Sequence, residues 1–402
     1  MDAKECLGEP RLLISRDALL HNAALIRALL PADTRICAVV KADAYGHGID
    51  GVIDALYNFS TDQIEGPAVD ALAVATIDEA EQLPATDLQT IIFRPIENSY
   101  LGGQRARIET SIRNNWVLTL CNPSAADDIA RIAVSMGRRC SVQIMIDTGM
   151  TRSGIDIEDF DHLLNTITSH ASLRLVGVGT HFSEAEKMDS DSTTVQLDRF
   201  SKATDGPVAL LNSNSKGKVV RHAANSAGIF FHPSSHFEMV RPGLSLYGID
   251  PTFTPSMDRL LRPVMKWTAP LLGVRDVKKG TKVGYGQTWS APRDTKIGLV
   301  PVGYADGYLR GFSNKASMLV DGKPVPVVGI VSMDSTTIDL GPGSQAVVGD
   351  QVTILDDNPL SPVSVYALAR WADTIPYEIF CRIGPRVKRV AREVELMEKR
   401  KD

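Results

Sequence analysis

No apolar run in the 402-residue sequence approaches the ~20 residues needed to cross a bilayer. The opening MDAKECLGEPRLL also lacks an uninterrupted apolar core ahead of a small-residue cleavage site, so a soluble cytoplasmic protein without membrane contact is expected. Cysteine is scarce: Cys6, Cys37, Cys121, Cys140 and Cys381 are scattered and odd in number, without CxxC or Cys/His ligand spacing. That excludes a disulfide scaffold, gives no metal site, and predicts thiols in a reducing compartment. There is little excess charge. Lys plus Arg number 43 against 48 Asp plus Glu, a net charge of −5, and the one basic stretch is a short mixed tail from Lys388 to Asp402, so nucleic acid is not an expected partner. A phosphate-cradling glycine loop is missing too. Gly46-His47-Gly48 is only GxG, lacking the third glycine and the spaced acidic residue of a dinucleotide fold.

What is present is enough apolar sequence, 44% of the chain, for two cores, since single cores stop growing beyond about 250–300 residues. From Ala18 to about Ser245, short β-branched runs alternate with amphipathic or Ala-rich segments. The strand candidates are Ile36–Val40, Ala71–Val74, Gln89–Phe93, Trp116–Leu120, Val142–Ile146, Leu173–Val178, Val219–His222 and Glu238–Val240. Helical patterns cover Ala18–Leu30, Ser124–Met136, Asp159–Ser169 and Thr193–Lys202, while Asp205 to Lys218 reads as a polar surface loop. Eight βα units predict a TIM barrel over residues 11–248. After Gly248 the composition turns to Gly/Pro-punctuated β segments, Ala269–Val277, Ile297–Val302, Met318–Val320, Pro324–Ile330, Ser335–Leu340 and Gln351–Leu355, with one helical pattern at Val363 to Asp373. The fold class is thus α/β plus all-β: an N-terminal (β/α)8 barrel followed by a C-terminal β domain over residues 249–392.

Barrel active sites lie at the C-terminal ends of strands, and the unusual polar residues fall there. Lys41 and Tyr45 follow the first strand, Arg152 the fifth and His181 the sixth; Asn225 and Ser226 follow the seventh, and Arg241 ends the eighth. Lys41 leaves a buried apolar run for a small-residue loop ending in Gly46 and Gly48. Partial desolvation favours its neutral amine, which can form a Schiff base with an aldehyde. Taken alone, Lys41 reads more readily as a lysine snorkelling out of a strand end. Tyr45, Ser226, backbone amides near Gly243 and Leu244, and Tyr377 supply hydroxyl and N–H groups suited to a phosphate.

Separated segments carry a specific resemblance: AVVKADAYGHG (Ala38 to Gly48), DTGMTRSG (Asp147 to Gly154), HFS (His181 to Ser183), HAANSAG (His222 to Gly228), VRPGLSLYG (Val240 to Gly248), VGYGQTW (Val283 to Trp289), PVGYADGY (Pro301 to Tyr308), VSMD (Val331 to Asp334) and TIPYEI (Thr374 to Ile379). In identity and order, over nearly the whole chain, they resemble alanine racemases. Fold-type III decarboxylases and single-domain pyridoxal-phosphate-binding proteins share the barrel, but the C-terminal half resembles racemases alone. The resemblance implies pyridoxal 5′-phosphate carried by Lys41, which also serves as one base, with Tyr285 of the partner subunit as the other. It implies Arg241 facing the pyridine nitrogen, His181 against the ring, and Tyr45, Asn225, Ser226, Gly243, Leu244 and Tyr377 around the cofactor. Arg152 and the backbone of Met333 of the partner subunit would bind the substrate carboxylate. A homodimer with shared sites, supplying D-alanine for peptidoglycan, follows from the same resemblance.

Three positions depart from the commonest family pattern. Met145 stands seven residues before Arg152, where many members carry a lysine that becomes carbamylated; Ile330 replaces an arginine and Ser332 a cysteine. A broader or serine-preferring racemase is therefore the alternative within the same chemistry. A non-catalytic cofactor carrier is the alternative outside it, and Tyr285 with the whole β domain argues against that reading, because a carrier needs no second base.

Overall fold

A computed structural model describes residues 8–58, 60–61, 64–96, 104–214, 218–256 and 258–392. Cys6 and the basic tail beyond Arg392 lie outside the described residues. The chain divides into two compact units, one made of Ala23–Ala42 and Leu56–Leu246, the other of Met1–Asn22, Asp43–Ala55 and Tyr247–Asp402.

The first unit is built on eight strands: β1 (Arg35–Val39), β2 (Ala71–Val74), β3 (Gln89–Ile92), β4 (Val117–Leu120), β5 (Cys140–Asp147), β6 (Leu173–Gly179), β7 (Val220–His222) and β8 (Met239–Val240). They lie in the order β7-β6-β5-β4-β3-β2-β1-β8, and each neighbouring pair is parallel. Just past the ends of β7 and β8, the Arg241 N–H donates to the Ala224 carbonyl at 2.9 Å, leaving a nearly closed TIM barrel. All eight coincide with the expected runs to within about two residues at each end. The reason is burial on both faces, which makes parallel strands such as ALAV apolar from end to end and others, such as VLTL, nearly so.

Between the strands, Pro123–Ser135 opens as its sequence predicts, the Asn122 side chain accepting the Ala125 N–H ahead of a proline in the first turn. Two helices absent from the expected patterns, Ile77–Glu81 and Gln104–Arg113, follow β2 and β3. The expected loop from Asp205 to Lys218 is wrong in its first part. The helix Ser192–Asn214 continues through Gly206 and Pro207. Phe200, Thr204 and Val208, four residues apart, are buried on one face, and that packing outweighs the roughly 3 kcal/mol an interior proline costs. Ser215 to Gly217 lie outside the described residues.

The second unit is mostly β. Its six-stranded sheet runs Lys323–Pro326, Ser317–Val320, Gln351–Leu355, Met265–Pro270, Arg11–Ser15, Lys388–Arg392. The N-terminal strand Arg11–Ser15, absent from the expected strands, pairs antiparallel with Met265–Pro270 and parallel with Lys388–Arg392. A three-stranded sheet joins Gly273–Val277, Thr295–Val300 and Thr336–Gly341. The single strand expected over Ala269–Val277 is therefore two. Its halves belong to different sheets, and the chain turns between them at Leu271 and Leu272, whose N–H groups go to Asp350 and Leu299. The ladder that Pro324–Ile330 forms with Ser317–Val320 ends at Pro326; Val327 instead bridges Ile338, and the run ends by Gly329, at φ +79°. The helix Val365–Ala372 is capped by Ser364 and closed by Asp373 in the left-handed conformation. Among the described residues no helix is long and apolar enough to cross a membrane.

Candidate active site

Beyond β1 the backbone does something its sequence does not announce. Lys41–Gly46 forms one helical turn with Ala42, Asp43, Ala44 and Tyr45 at φ +53° to +55° and Gly46 at +76°, a left-handed turn instead of an irregular loop. Each non-glycine residue in it costs about 1–2 kcal/mol, so neighbours must enforce it. Within the barrel unit, Glu79 Oε1 accepts the Ala42 N–H at 2.9 Å, while Oε2 accepts Ala75 N–H at 2.6 Å in the capping box that opens Ile77–Glu81. Within the second unit, the Asp43 carbonyl and carboxylate accept from Gly48 N–H at 3.1 Å and Ile49 N–H at 2.8 Å. A β-carbon at Gly46 would stand 2.3 Å from the Phe380 carbonyl oxygen, so only glycine fits there. The buried Tyr45 ring packs between Tyr247, at 4.9 Å, and Tyr377, at 5.7 Å between centroids, and burial pushes its hydroxyl pKa up.

At the C-terminal end of the barrel strands, Arg241 is only 5% exposed and has no carboxylate partner among the described residues. Its Nη2 donates to the carbonyls of Thr180 at 2.7 Å and Ala223 at 3.1 Å; Nη1 donates to His222 Nδ1 at 2.6 Å. Burial pulls the guanidinium down to about 10, which still leaves it charged at neutral pH. His181 stands 3.5 Å from Nη2 through its Nδ1. Its burial, then the positive charges of Arg241, Arg152 and Lys41, bring its pKa down to about 3. The structure thus gathers Lys41, Arg152, His181 and Arg241 within electrostatic reach, with the imidazole neutral.

Ser226 opens the short helix Ser226–Phe231, whose first turn is capped by Asn225 through its bond from Gly228 N–H at 2.9 Å. The Ser226 Oγ accepts the N–H groups of Gly243 at 3.2 Å and Ser245 at 3.1 Å, with the Ser245 hydroxyl at 3.0 Å. Two hydroxyls and two amide N–H groups thus gather at Ser226, hydrogen-bonding groups of the kind an anionic phosphate takes.

In the loop after β5, Asp147 Oδ1 accepts three successive N–H groups, from Gly149, Met150 and Thr151, at 2.8 to 3.1 Å. That shapes the segment bearing Arg152. Arg152 itself is exposed and makes no hydrogen bond or ion pair with any described residue; Met145, seven residues earlier, is half-buried. A residue missed in the sequence organises the neighbourhood: the buried Gln196 amide donates to Thr148 Oγ1 and the His181 carbonyl and accepts from Ser183 N–H and Oγ. It was hidden because a glutamine on an amphipathic helix reads as surface.

In the second unit, Tyr285 sits at the tip of a two-stranded hairpin, Lys282–Val283 with Trp289–Ser290, between Gly284 at φ +71° and Gly286 at +65°. Its ring is 73% exposed. Met333, 52% exposed, is held by its carbonyl, which accepts from Ala305 N–H at 3.0 Å, and by Arg386, which pairs with Asp334 at 2.8 Å and with buried Asp306 at 3.3 Å. Ser332 serves this loop through its backbone, which leaves its side chain replaceable.

The sequence patterns of the alanine racemase N-terminal and C-terminal domains match residues 14–251 and 264–391. The alanine racemase of Chlorobaculum tepidum is 36% identical over 382 residues, covering 94% of this chain and 94% of its own. Among solved structures, an alanine racemase from Streptomyces coelicolor A3(2) superposes with a TM-score of 0.84 at 31% identity, covering 97% of this chain and 99% of its own. The alanine racemase of Bartonella henselae, solved with covalently bound pyridoxal phosphate, gives 0.80 at 26% identity, covering 96% and 99%.

Proposed function

Because the chain belongs to the alanine racemase family and is an amino acid racemase, we propose that it interconverts L- and D-alanine with pyridoxal 5′-phosphate, at sites shared between two copies of the chain. The observation that carries this reading is the buried charge of Arg241, uncompensated by any described carboxylate, at the strand ends that also bear Lys41, His181 and Ser226. The cofactor, when bound, withdraws electrons from the substrate α-carbon so that its proton becomes exchangeable.

The chain's own groups then divide the work. Lys41 holds the cofactor covalently, and its Nζ takes or returns the proton on one face; the hydroxyl of Tyr285 of the partner subunit does so on the other. Ser226 with the amides of Gly243 and Leu244, oriented by the Asn225 cap and joined by the hydroxyls of Tyr45 and Tyr377, binds the phosphate. The ring contact between Tyr45 and Tyr377 supports their acting together. Arg241, a donor only, would face the pyridine nitrogen without giving it a proton, which would suit proton exchange over decarboxylation. His181 contacts the ring as a neutral imidazole. Arg152 and the backbone of Met333 of the partner subunit orient the carboxylate. We place the reaction in the cytoplasm, as a source of D-alanine for peptidoglycan.

The unanchored Arg152 favours one second reading, a racemase with broader substrate range. Turnover of alanine, serine and lysine, measured side by side, decides between them. Borohydride reduction of the loaded protein followed by peptide mapping should find the cofactor on Lys41. A label on another lysine, or full activity of Lys41→Ala, overturns the assignment.

A further inference from the structure

A single file of buried polar side chains crosses the barrel interior from Arg241. Arg241 Nη1 meets His222 Nδ1 at 2.6 Å, His222 Nε2 meets Gln143 Oε1 at 3.0 Å, Gln143 Nε2 meets Thr119 Oγ1 at 2.7 Å, and Thr119 Oγ1 meets the Ile92 carbonyl at 2.5 Å. These groups come from the end of β8 and from β7, β5, β4 and β3. Strand β6 is skipped because it contributes glycines: a β-carbon at Gly179 would stand 2.1 Å from His222 Cε1, and one at Gly177 would stand 3.4 Å from Nε2.

The direction of every bond in the file is forced from both ends. The Ile92 carbonyl can only accept, so the Thr119 hydroxyl donates to it and accepts from the Gln143 amide nitrogen. That fixes the glutamine oxygen toward His222, which must donate from Nε2. From the other end, a guanidinium can only donate, so His222 Nδ1 must be bare. The two requirements meet on the same tautomer, with no proton missing and none in excess. A histidine of opposite tautomer would set an N–H against the guanidinium and a lone pair against a carbonyl oxygen.

We propose that Gln143 and Thr119 are positioning residues for Arg241: through this one-way chain of donors they hold His222 as the Nε2–H tautomer, whose bare Nδ1 fixes the guanidinium. The proposal deepens the role given above to Arg241 and rests on it. Three of the five guanidinium N–H groups are consumed inside the protein, on Thr180, Ala223 and His222, which holds the plane of the group still and leaves the remaining donors for the cofactor.

The test reads His222 directly. Protein carrying 15N-labelled histidine, with the His222 signals assigned by their loss in His222→Asn, is examined with and without cofactor. The unmutated protein should show a bare Nδ1 and a protonated Nε2 in both forms, unchanged between about pH 5 and pH 9. In Gln143→Glu the carboxylate attracts a second proton to the ring, so the His222 signals should move to the doubly protonated pattern or titrate within that range. The absorption band of the bound cofactor should then become pH-dependent, and kcat should fall about tenfold with KM little changed. Thr119→Ser, which keeps the hydroxyl, should behave as the parent, and Thr119→Val should not. An Nδ1–H tautomer or a titrating His222 in the parent overturns the proposal, as does a Gln143→Glu protein whose His222 signals and cofactor band match the parent's. Absence of any cofactor band refutes the reading of the site instead, and the cofactor-free spectra still decide the relay.

Discussion

One carboxylate oxygen of Glu79 accepts the Ala42 N–H at 2.9 Å, tying the cap of the helix after β2 to the residue beside Lys41. The same side chain completes the capping box with Thr76, so a single carboxylate serves a helix start and a left-handed turn.

Glu79→Ala should therefore lower stability by about 1–3 kcal/mol and slow cofactor attachment at Lys41, while Glu79→Gln, whose single acceptor oxygen can serve either the Ala42 N–H or the capping box but not both, should lose less than alanine in one of the two effects. Urea midpoints and the rate at which the cofactor band develops measure the two effects. Equal loss in both variants would contradict the proposed tie.

Mixed dimers test the shared site. Lys41→Ala and Tyr285→Phe proteins, each inactive, should regain activity when exchanged, because one site of each heterodimer then combines both intact bases. Heterodimers verified by mass that remain inactive would rule out sharing.

At the position where relatives carry a lysine that becomes carbamylated stands Met145, whose thioether is at best a weak acceptor, and Arg152 has no partner among the described residues. Activity should be the same in degassed, bicarbonate-free buffer as in bicarbonate. Met145→Lys should introduce a bicarbonate dependence or narrow the substrate range, since a carbamate would add a charge-assisted bond worth about 1.5–3 kcal/mol. A bicarbonate requirement in the unmutated enzyme would sink the idea.

Three histidines, His47 and His222 buried and His181 half-buried, make the fold sensitive to acid. Burial, more than any neighbour, holds His47 down to about 4, His181 to about 3 and His222 well below 6.5. Each is neutral when folded but takes a proton below about pH 6.5 when unfolded, so stability is fully present above that value and falls as pH drops. Well below it the slope should approach about 1.4 kcal/mol per pH unit for each histidine. Unfolding free energies measured at about pH 7 and pH 5 give the slope, and a flat profile would refute it.

The sequence exposes the barrel because parallel strands are apolar, or nearly so, end to end, a signal needing no partner. It exposes the C-terminal β domain by turn residues, but not the chain reversal at Leu271 that sends one run into two sheets. Arg11–Ser15 escapes because both its partners lie far along the chain. Among site residues, those at strand ends stand out against apolar runs. Gln143 and Thr119 look like blemishes within such runs, and their role needs the partner strand to be visible. The left-handed turn after Lys41 carries no signal beyond small residues and Gly46, since its conformation is enforced from outside by Glu79 and Phe380.

The six-stranded sheet seats a strand from residues 11–15 beside one from residues 388–392. On a ribosome, the first of these emerges tens of seconds before the second, at roughly 5–20 residues per second. Throughout that interval one edge of Arg11–Ser15 has no mate, and an open edge invites pairing with other chains. This sheet thus cannot be completed until residues 388–392 have been made, and nascent chains released before then would be prone to aggregate.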